Sequence, residues 1–269
     1  MEIKTLHDQH VHTLYSVDSE ALIEDYLNVA IKKGCSYFVM TDHLDYDLPS
    51  YDFDWIADYQ KQKEEIALLN KKYQGKINIL QGIEFGYKRN RIKDIKEVIS
   101  SANFDVINMS IHDYADIDFY FKDAFERLGV NSVISMYLDL YYEALCSGID
   151  FDVLSHIDYA YKTALQVQPD LKFSVHEAKL KVIFEKLISM NKTFEINTKV
   201  QETINNKEHA RYLLSLYYSL GGRDITISSD SHTIDRYLSS FDEYKLLAKQ
   251  VGFDHLCYFI QRKKHYYKI

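Results

Sequence analysis

Cysteine is scarce and unpatterned: Cys35, Cys146 and Cys257 stand far apart and form no CxxC pair. That excludes a thiolate zinc motif and a disulfide framework, and makes a reducing, cytoplasmic setting the simplest expectation. Proline is scarcer still, with Pro49 and Pro169 both in stretches that read as loops. No Pro/Gly/Ser-rich linker and no clear repeat divides the chain, so one domain over residues 1–269 is expected. No run approaches ~20 uninterrupted apolar residues, which argues against a membrane span. The opening MEIKTLHDQHVH lacks the apolar core of a signal peptide. Positive charge is in deficit, with 32 Lys+Arg against 40 Asp+Glu and a formal net charge of -8. A general nucleic-acid binder needs a basic footprint, so that class is disfavoured, while a small basic pocket is not.

What the chain does have is a rhythm of short β-rich runs followed by longer helical patterns. The expected strands are Thr5–His12, Ser36–His43, Ile77–Phe85, Phe104–His112, Asp152–Asp158, Lys192–Thr198 and Asp224–His232. Helices are expected over Ser19–Lys33, with Ser19 as cap and Gly34 as stop, and over Asp54–Tyr73, Lys93–Ala102, Val130–Cys146, Val175–Met190, Glu208–Leu220 and Phe241–Val251. The aromatic tail Tyr258–Tyr267 packs on this frame or extends beyond it. Seven strands alternating with helices predict an α/β fold with a parallel sheet covered by helices. A closed or nearly closed barrel suits the placement of polar residues better than an open sheet.

Six of the seven expected strands end in a residue able to bind a metal: His10 and His12, His43, Glu84, His112, His156, and Asp230 with His232. Residues i and i+2 of a strand share a face, so His10 pairs with His12 and Asp230 with His232. In a barrel the first and last strands are neighbours, which sets the two pairs side by side at the C-terminal rim, where functional groups gather. Each motif alone has a bland reading: Asp-Ser-His suits a turn or cap, and an isolated histidine suits a packed core. An apolar core gives no reason for all of them to recur in this order.

This ordered series resembles the PHP (polymerase and histidinol phosphatase) superfamily of distorted (β/α)7 barrels, and within it the stand-alone histidinol-phosphate phosphatase branch. The residues that carry the likeness are Asp8-Gln9-His10-Val11-His12-Thr13, Thr41-Asp42-His43, Gly82-Ile83-Glu84, Ser110-Ile111-His112, Ser155-His156-Ile157-Asp158, Glu195-Ile196-Asn197-Thr198 and Ser229-Asp230-Ser231-His232. Gly252-Phe253 through Arg262-Lys263 resembles the C-terminal pattern of the branch. The resemblance implies a metal site at the C-terminal rim holding three divalent ions. His10, His12, Glu84 and Asp230 would hold one, Glu84 would bridge to a second bound by His112 and His156, and Asp18, His43 and His232 would hold the third. Zinc, manganese and iron all suit imidazole and carboxylate ligands without thiolate. Asp42, Asp113 and Asp158 are candidates to orient the ligand histidines.

The implied activity is hydrolysis of a small-molecule phosphate monoester, L-histidinol phosphate, to L-histidinol and phosphate in histidine biosynthesis. The expected chemistry is in-line attack on phosphorus by a hydroxide held between metals, with Glu84, Asp230, His232, His43 and Asp18 as the catalytic set. No Cys-x5-Arg or Asp-x-Asp-x-Thr signature points to a covalent phospho-enzyme. Lys162, Lys199 and Arg89 are the candidates for phosphate contact. Lys199-Val200-Gln201-Glu202 stands where the branch has a Gly-rich turn and an arginine. Tyr87, Tyr114 and Tyr161 are candidate walls for the organic part of the substrate. Two other readings stay open. One is a related phosphoesterase acting on nucleotides, phosphotyrosine or DNA ends; the other is a metal-binding barrel without enzymatic activity. The oligomeric state is not legible.

Overall fold

A computed structural model describes residues 7–269. The first two residues of the expected strand Thr5–His12 therefore lie outside the described residues. The mixed α/β architecture follows the expected order. Across the main sheet run the parallel strands Ile225–Ser228, Thr193–Asn197, Val153–Leu154, Val106–Ser110, Asn78–Gly86 and His43–Asp45, with Trp55–Ile56 added antiparallel at the end. Tyr37–Met40 pairs with the first half of Asn78–Gly86, in the same register that His43 and Leu44 keep with its second half. The expected strand Ser36–His43 is thus one line interrupted at Thr41 and Asp42. There the backbone turns to the chain's first segment, and the Thr41 N–H donates to Val11 O at 2.8 Å.

That first segment is extended and makes no ladder. It is bonded to Thr41 on one side and, through a single parallel bridge of Val11 with Ser231, to the segment that follows Ile225–Ser228 on the other. His12 N–H donates to Ser231 O at 2.8 Å. Buried Asp8 strengthens the joint by accepting from the Ser229 N–H at 3.0 Å and from the Ser229 hydroxyl.

Helices cover the sheet because their apolar residues recur at helical spacing. Val130–Cys146 buries Val133, Ile134, Tyr137, Leu138, Tyr141, Ala144 and Leu145 on one stripe. Its two tyrosines do more than pack: Tyr141 donates to Ser155 O at 2.8 Å and Tyr137 to His156 O at 3.1 Å, fixing the end of the fifth expected strand. Ile23–Lys32 stops as expected at Gly34, whose φ of +78° suits the left-handed turn that ends a helix. Ser19 does not cap it: the helix starts at Ile23, and the Ser19 hydroxyl donates to His232 O at 2.9 Å instead. Three short helices escaped the periodicity: Asp123–Leu128, Tyr159–Val167 and Thr198–Ile204. No helix among the described residues is long and apolar enough to cross a membrane.

The tail forms an antiparallel hairpin, His255–Ile260 with Lys263–Lys268, packed against the N-terminal ends of the strands. Phe259 is buried with Val39, Val106 and Val153, its N–H donates to Gln9 Oε1 at 2.8 Å, and Arg262 pairs with Asp152. One end of the sheet is thereby sealed with hydrocarbon, leaving the other for chemistry. Phe259→Ala removes the centre of that seal and is expected to cost about 3–5 kcal/mol. Urea denaturation with an unchanged slope would register it, and a loss below ~1 kcal/mol would show that the hairpin is no part of the core.

Candidate metal centre

The nine residues expected as ligands arrive at one place. His43 and Glu84 are direct neighbours in the sheet register. Glu84 Oε2 lies 3.3 Å from His10 Nε2, 3.5 Å from His12 Nε2 and 3.1 Å from His43 Nδ1. Its Oε1 lies 2.8 Å from His156 Nε2 and 3.5 Å from His112 Nε2. Asp230 Oδ1 is 3.2 Å from His12 Nε2 and 3.8 Å from His10 Nε2. Asp18, the most exposed of the nine, has its carboxylate 2.9 Å from His232 Nε2 and 3.7 Å from His43 Nε2. The Ser19–His232 bond described above holds that loop in place. Asp230 adopts φ +47°, a left-handed conformation that is strained for a residue with a side chain.

The outer partners differ from those expected. Asp42 accepts from Thr13, Ser16 and Gln62 and touches no ligand imidazole. It acts one step removed, because the Ser16 hydroxyl it holds is 3.1 Å from His12 Nδ1. Asp113 pairs with Lys88, and Asp158 with Gln201 and His209. Glu195 and Asp45 take the place expected for these three. Glu195 sits 2.8 Å from His10 Nδ1 and accepts the His156 N–H at 2.8 Å. Asp45 lies 2.8 Å from His112 Nδ1 and 3.0 Å from His43 Nδ1. Both had a signal in the sequence: His43-Leu44-Asp45 has same-face spacing, and Glu195 is a strand carboxylate two residues before Asn197.

Burial and charge oppose each other throughout. Burial alone would lower the His10 pKa, yet Glu84, Glu195 and Asp230 hold it well above the usual histidine range. His43 is raised likewise, by Asp18 above all, and His112 is pushed up to about 10 by Asp45 and Glu84, in both cases against burial. His12 goes the other way, lowered by burial and by neighbouring His232 and His43. Glu84 and Asp230 stay well below the usual carboxylate range against burial, Glu84 through His10 and His112, Asp230 through Lys199 and His10.

The donor set fits divalent cations. His10 Nε2, His12 Nε2, His43 Nδ1 and Glu84 Oε2 are buried without a properly directed hydrogen bond. Donor atoms of His10, His12 and Glu84 lie within 4.8 Å of one another, as do those of Glu84, His112 and His156, and of His12, His43 and His232. Buried polar atoms are almost always paired, and a convergent set that is not paired is the signature of a missing electrophile.

Beside the cluster opens a cavity of about 400 Å³. Lys162 and Lys199, two of the candidates for phosphate contact, are in its lining. Lys199 Nζ is 2.9 Å from His232 Nδ1, and Lys162 lies over the Tyr159 ring at 3.4 Å. Burial, and secondarily Lys199, pushes the Lys162 pKa down to about 7. Arg89 does not line the cavity. The chain turns away at Arg89–Arg91, and Glu143 holds the Arg89 Nε at 2.6 Å. The three expected tyrosine walls are also elsewhere: Tyr87 binds Glu143, Tyr114 lies under Arg89, and Tyr161 packs on Phe173. The aromatic walls are Tyr51, Trp55, Tyr120, Phe121 and Tyr159. Tyr159 starts a helix, so Tyr161, two residues on, faces the opposite side. Asp118 is also in the lining; it accepts from Ser50 Oγ at 2.7 Å and from the Tyr120 N–H at 2.9 Å.

Gly86 is the residue on which Asp45 depends. A Cβ there would stand 1.9 Å from Asp45 Oδ1. Gly86→Ala is expected to displace that carboxylate, free His43 and His112 to rotate, and weaken metal affinity about 10–100-fold. Calorimetric zinc titration checks this, and wild-type affinity in the variant would remove Asp45 from the site's support.

The model of the PHP domain family matches residues 8–199, a span that holds every candidate ligand from His10 to His156. A histidinol-phosphatase of Lactococcus lactis is 28% identical over 253 residues, covering 94% of this chain and 93% of that one. A probable histidinol-phosphatase of Clostridium acetobutylicum is 29% identical over 231 residues, or 85% and 87% of the two chains. The crystal structure of the Lactococcus lactis histidinol phosphate phosphatase, complexed with zinc, L-histidinol and phosphate, superposes with a TM-score of 0.87 at 27% identity, over 96% of this chain and 98% of that chain. By the family match and the fold together, this chain belongs to the PHP domain family.

Proposed function

We propose that this protein is a histidinol-phosphatase, cleaving L-histidinol phosphate to L-histidinol and inorganic phosphate at a three-metal centre, with residues 1–269 acting as one catalytic domain. The observation that carries the reading is the position of the lysine-flanked, aromatic-walled cavity beside the convergent ligands. The near-full-length similarity to histidinol-phosphatases supports it, as does a neighbour that binds zinc, histidinol and phosphate.

His10, His12, Glu84 and Asp230 would hold one divalent ion, Glu84 with His112 and His156 a second, and Asp18, His43 and His232 a third; zinc, manganese and iron suit these donors. Bound there, the ions supply Lewis acidity, water activated near neutral pH and charge neutralisation for phosphoryl transfer. The protein's own groups do the rest. Glu195, Asp45 and Ser16 fix the rings of His10, His112 and His12, so that their donor atoms would meet the ions pre-aimed. Lys162 and Lys199 face the cavity as paired cations for the phosphate oxygens, and a dianion between them restores the proton that burial weakens on Lys162. Tyr51, Trp55, Tyr120 and Phe121 form an apolar sleeve for an imidazole-sized ring, and Asp118 offers a carboxylate to the substrate's ammonium group.

Three measurements test this. Metal-reconstituted protein should give a kcat/KM for histidinol phosphate well above those for nucleoside monophosphates and phosphotyrosine; a reversed ranking would replace the substrate. Glu84→Ala should lower turnover by at least about 10³-fold, as chelation should in the wild type, with zinc or manganese restoring only the latter; near-normal activity in the variant would remove Glu84 from the centre. Asp118→Asn should raise KM for histidinol phosphate about tenfold while leaving inhibition by inorganic phosphate unchanged. Equal effects on both would mean Asp118 serves the phosphate end.

A further inference from the structure

Asp158 lines neither the main cavity nor the smaller one beside it, and it touches none of the candidate ligands, yet it is a buried carboxylate, which is costly unless its charge is put to use. It precedes the helix Tyr159–Val167, but its side chain caps none of that helix's N–H groups. Its Oδ2 instead accepts from Gln201 Nε2 and, at 3.0 Å, from His209 Nε2. Gln201 belongs to the helix Thr198–Ile204, and His209 to the helix Lys207–Ser219, where its ring packs on Phe173 with centroids 3.6 Å apart.

The two short helices carry the two cavity lysines. Lys162 lies on Tyr159–Val167, and Lys199 on Thr198–Ile204. Lys199 and Gln201 are two residues apart, about 200° around a helix, so one faces the cavity while the other faces Asp158. Helices of nine and seven residues are too short to hold themselves in place and depend on tertiary contacts for their position. The Asp158–Gln201 bond is one such contact, and it is made between buried side chains, where water does not compete.

We propose that Asp158 is a positioning residue: through Gln201 it clamps the two lysine-bearing helices at a fixed spacing, with His209 of the next helix anchoring its carboxylate, and so sets the affinity of the site for a phosphate group. The inference rests on the reading that Lys162 and Lys199 receive the phosphate. Gln201→Met keeps the volume and removes the donor without touching a candidate ligand. In the metal-loaded protein it should raise the dissociation constant for inorganic phosphate, measured by calorimetry, about tenfold. KM for histidinol phosphate should rise by a similar factor, with kcat within about threefold of wild type and metal content by mass spectrometry unchanged. Asp158→Asn should move the same constants in the same direction. Phe259→Ala serves as the control for a merely structural role, lowering the melting temperature without changing phosphate affinity. An unchanged phosphate dissociation constant in folded Gln201→Met, or a loss of affinity that tracks a loss of metal, overturns the clamp. Wild-type protein that binds phosphate but spares histidinol phosphate would overturn the substrate assignment instead, and the phosphate constant would still decide the clamp.

Discussion

Glu84 holds a carboxylate at the floor of the cavity with five imidazoles, those of His10, His12, His43, His112 and His156, within 3.5 Å of it. A buried carboxylate of this kind is tolerable only where positive charge or donors surround it. The five rings come from four different chain segments, His10 and His12 sharing one, so the sheet's register is the device that satisfies Glu84. A one-residue slip of the central strand would turn Glu84 to the far face and scatter the cluster. Gly82 shows how tightly that strand is seated, since a Cβ there would fall 2.7 Å from both Thr41 and Val106 side chains. Fold and site are therefore one constraint: the strands must pack closely enough at one end for their other ends to converge.

The ligand series was legible because it rests on period-two alternation and on strand ends, both of which a sequence displays directly. Asp18 came only through the family resemblance, since nothing in Tyr15–Asp18 distinguishes it from a loop. The supporting groups were harder. Asp42 and Asp113 adjoin ligands in sequence but point to Ser16 and Lys88, whereas Glu195 and Asp45 reach the rings across strands. Adjacency along the chain is a poor guide there, because neighbouring residues of a strand face opposite ways. Arg89 and Tyr161 follow expected strands closely in sequence, but each stands where the chain has entered a helical turn that carries it away from the cavity.

Charge is distributed unevenly between the chain as a whole and the cavity. The chain as a whole is acidic, yet the cavity wall nearest Asp230 and His232 carries Lys199, with Lys162 beside it. Low-dielectric walls focus such a local field, so two lysines make this wall a positive patch in an acidic chain. Aromatic rings share the lining with them, Tyr159 and Tyr120 lying against Lys162, and the cavity's size suits one small ligand.

The end of the last strand shows what this convergence costs. Asp230 is held at φ +47°, which carries a penalty of about 1–3 kcal/mol for a residue other than glycine. The bonds on both sides of it explain how it persists. Ser229 is tied to Asp8 through backbone and hydroxyl, and the Tyr26 hydroxyl lies 3.2 Å from Ser231 O. These fix the chain before and after Asp230, leaving its backbone no relaxed alternative that keeps both. The strained turn aims the carboxylate at His12 and leaves its backbone O 2.9 Å from His232 Nδ1. Glycine would relieve the strain and lose the ligand. The Asp230-Ser231-His232 motif is thus a strained corner as well as a donor pair, and its flanking serines are what let the fold bear it.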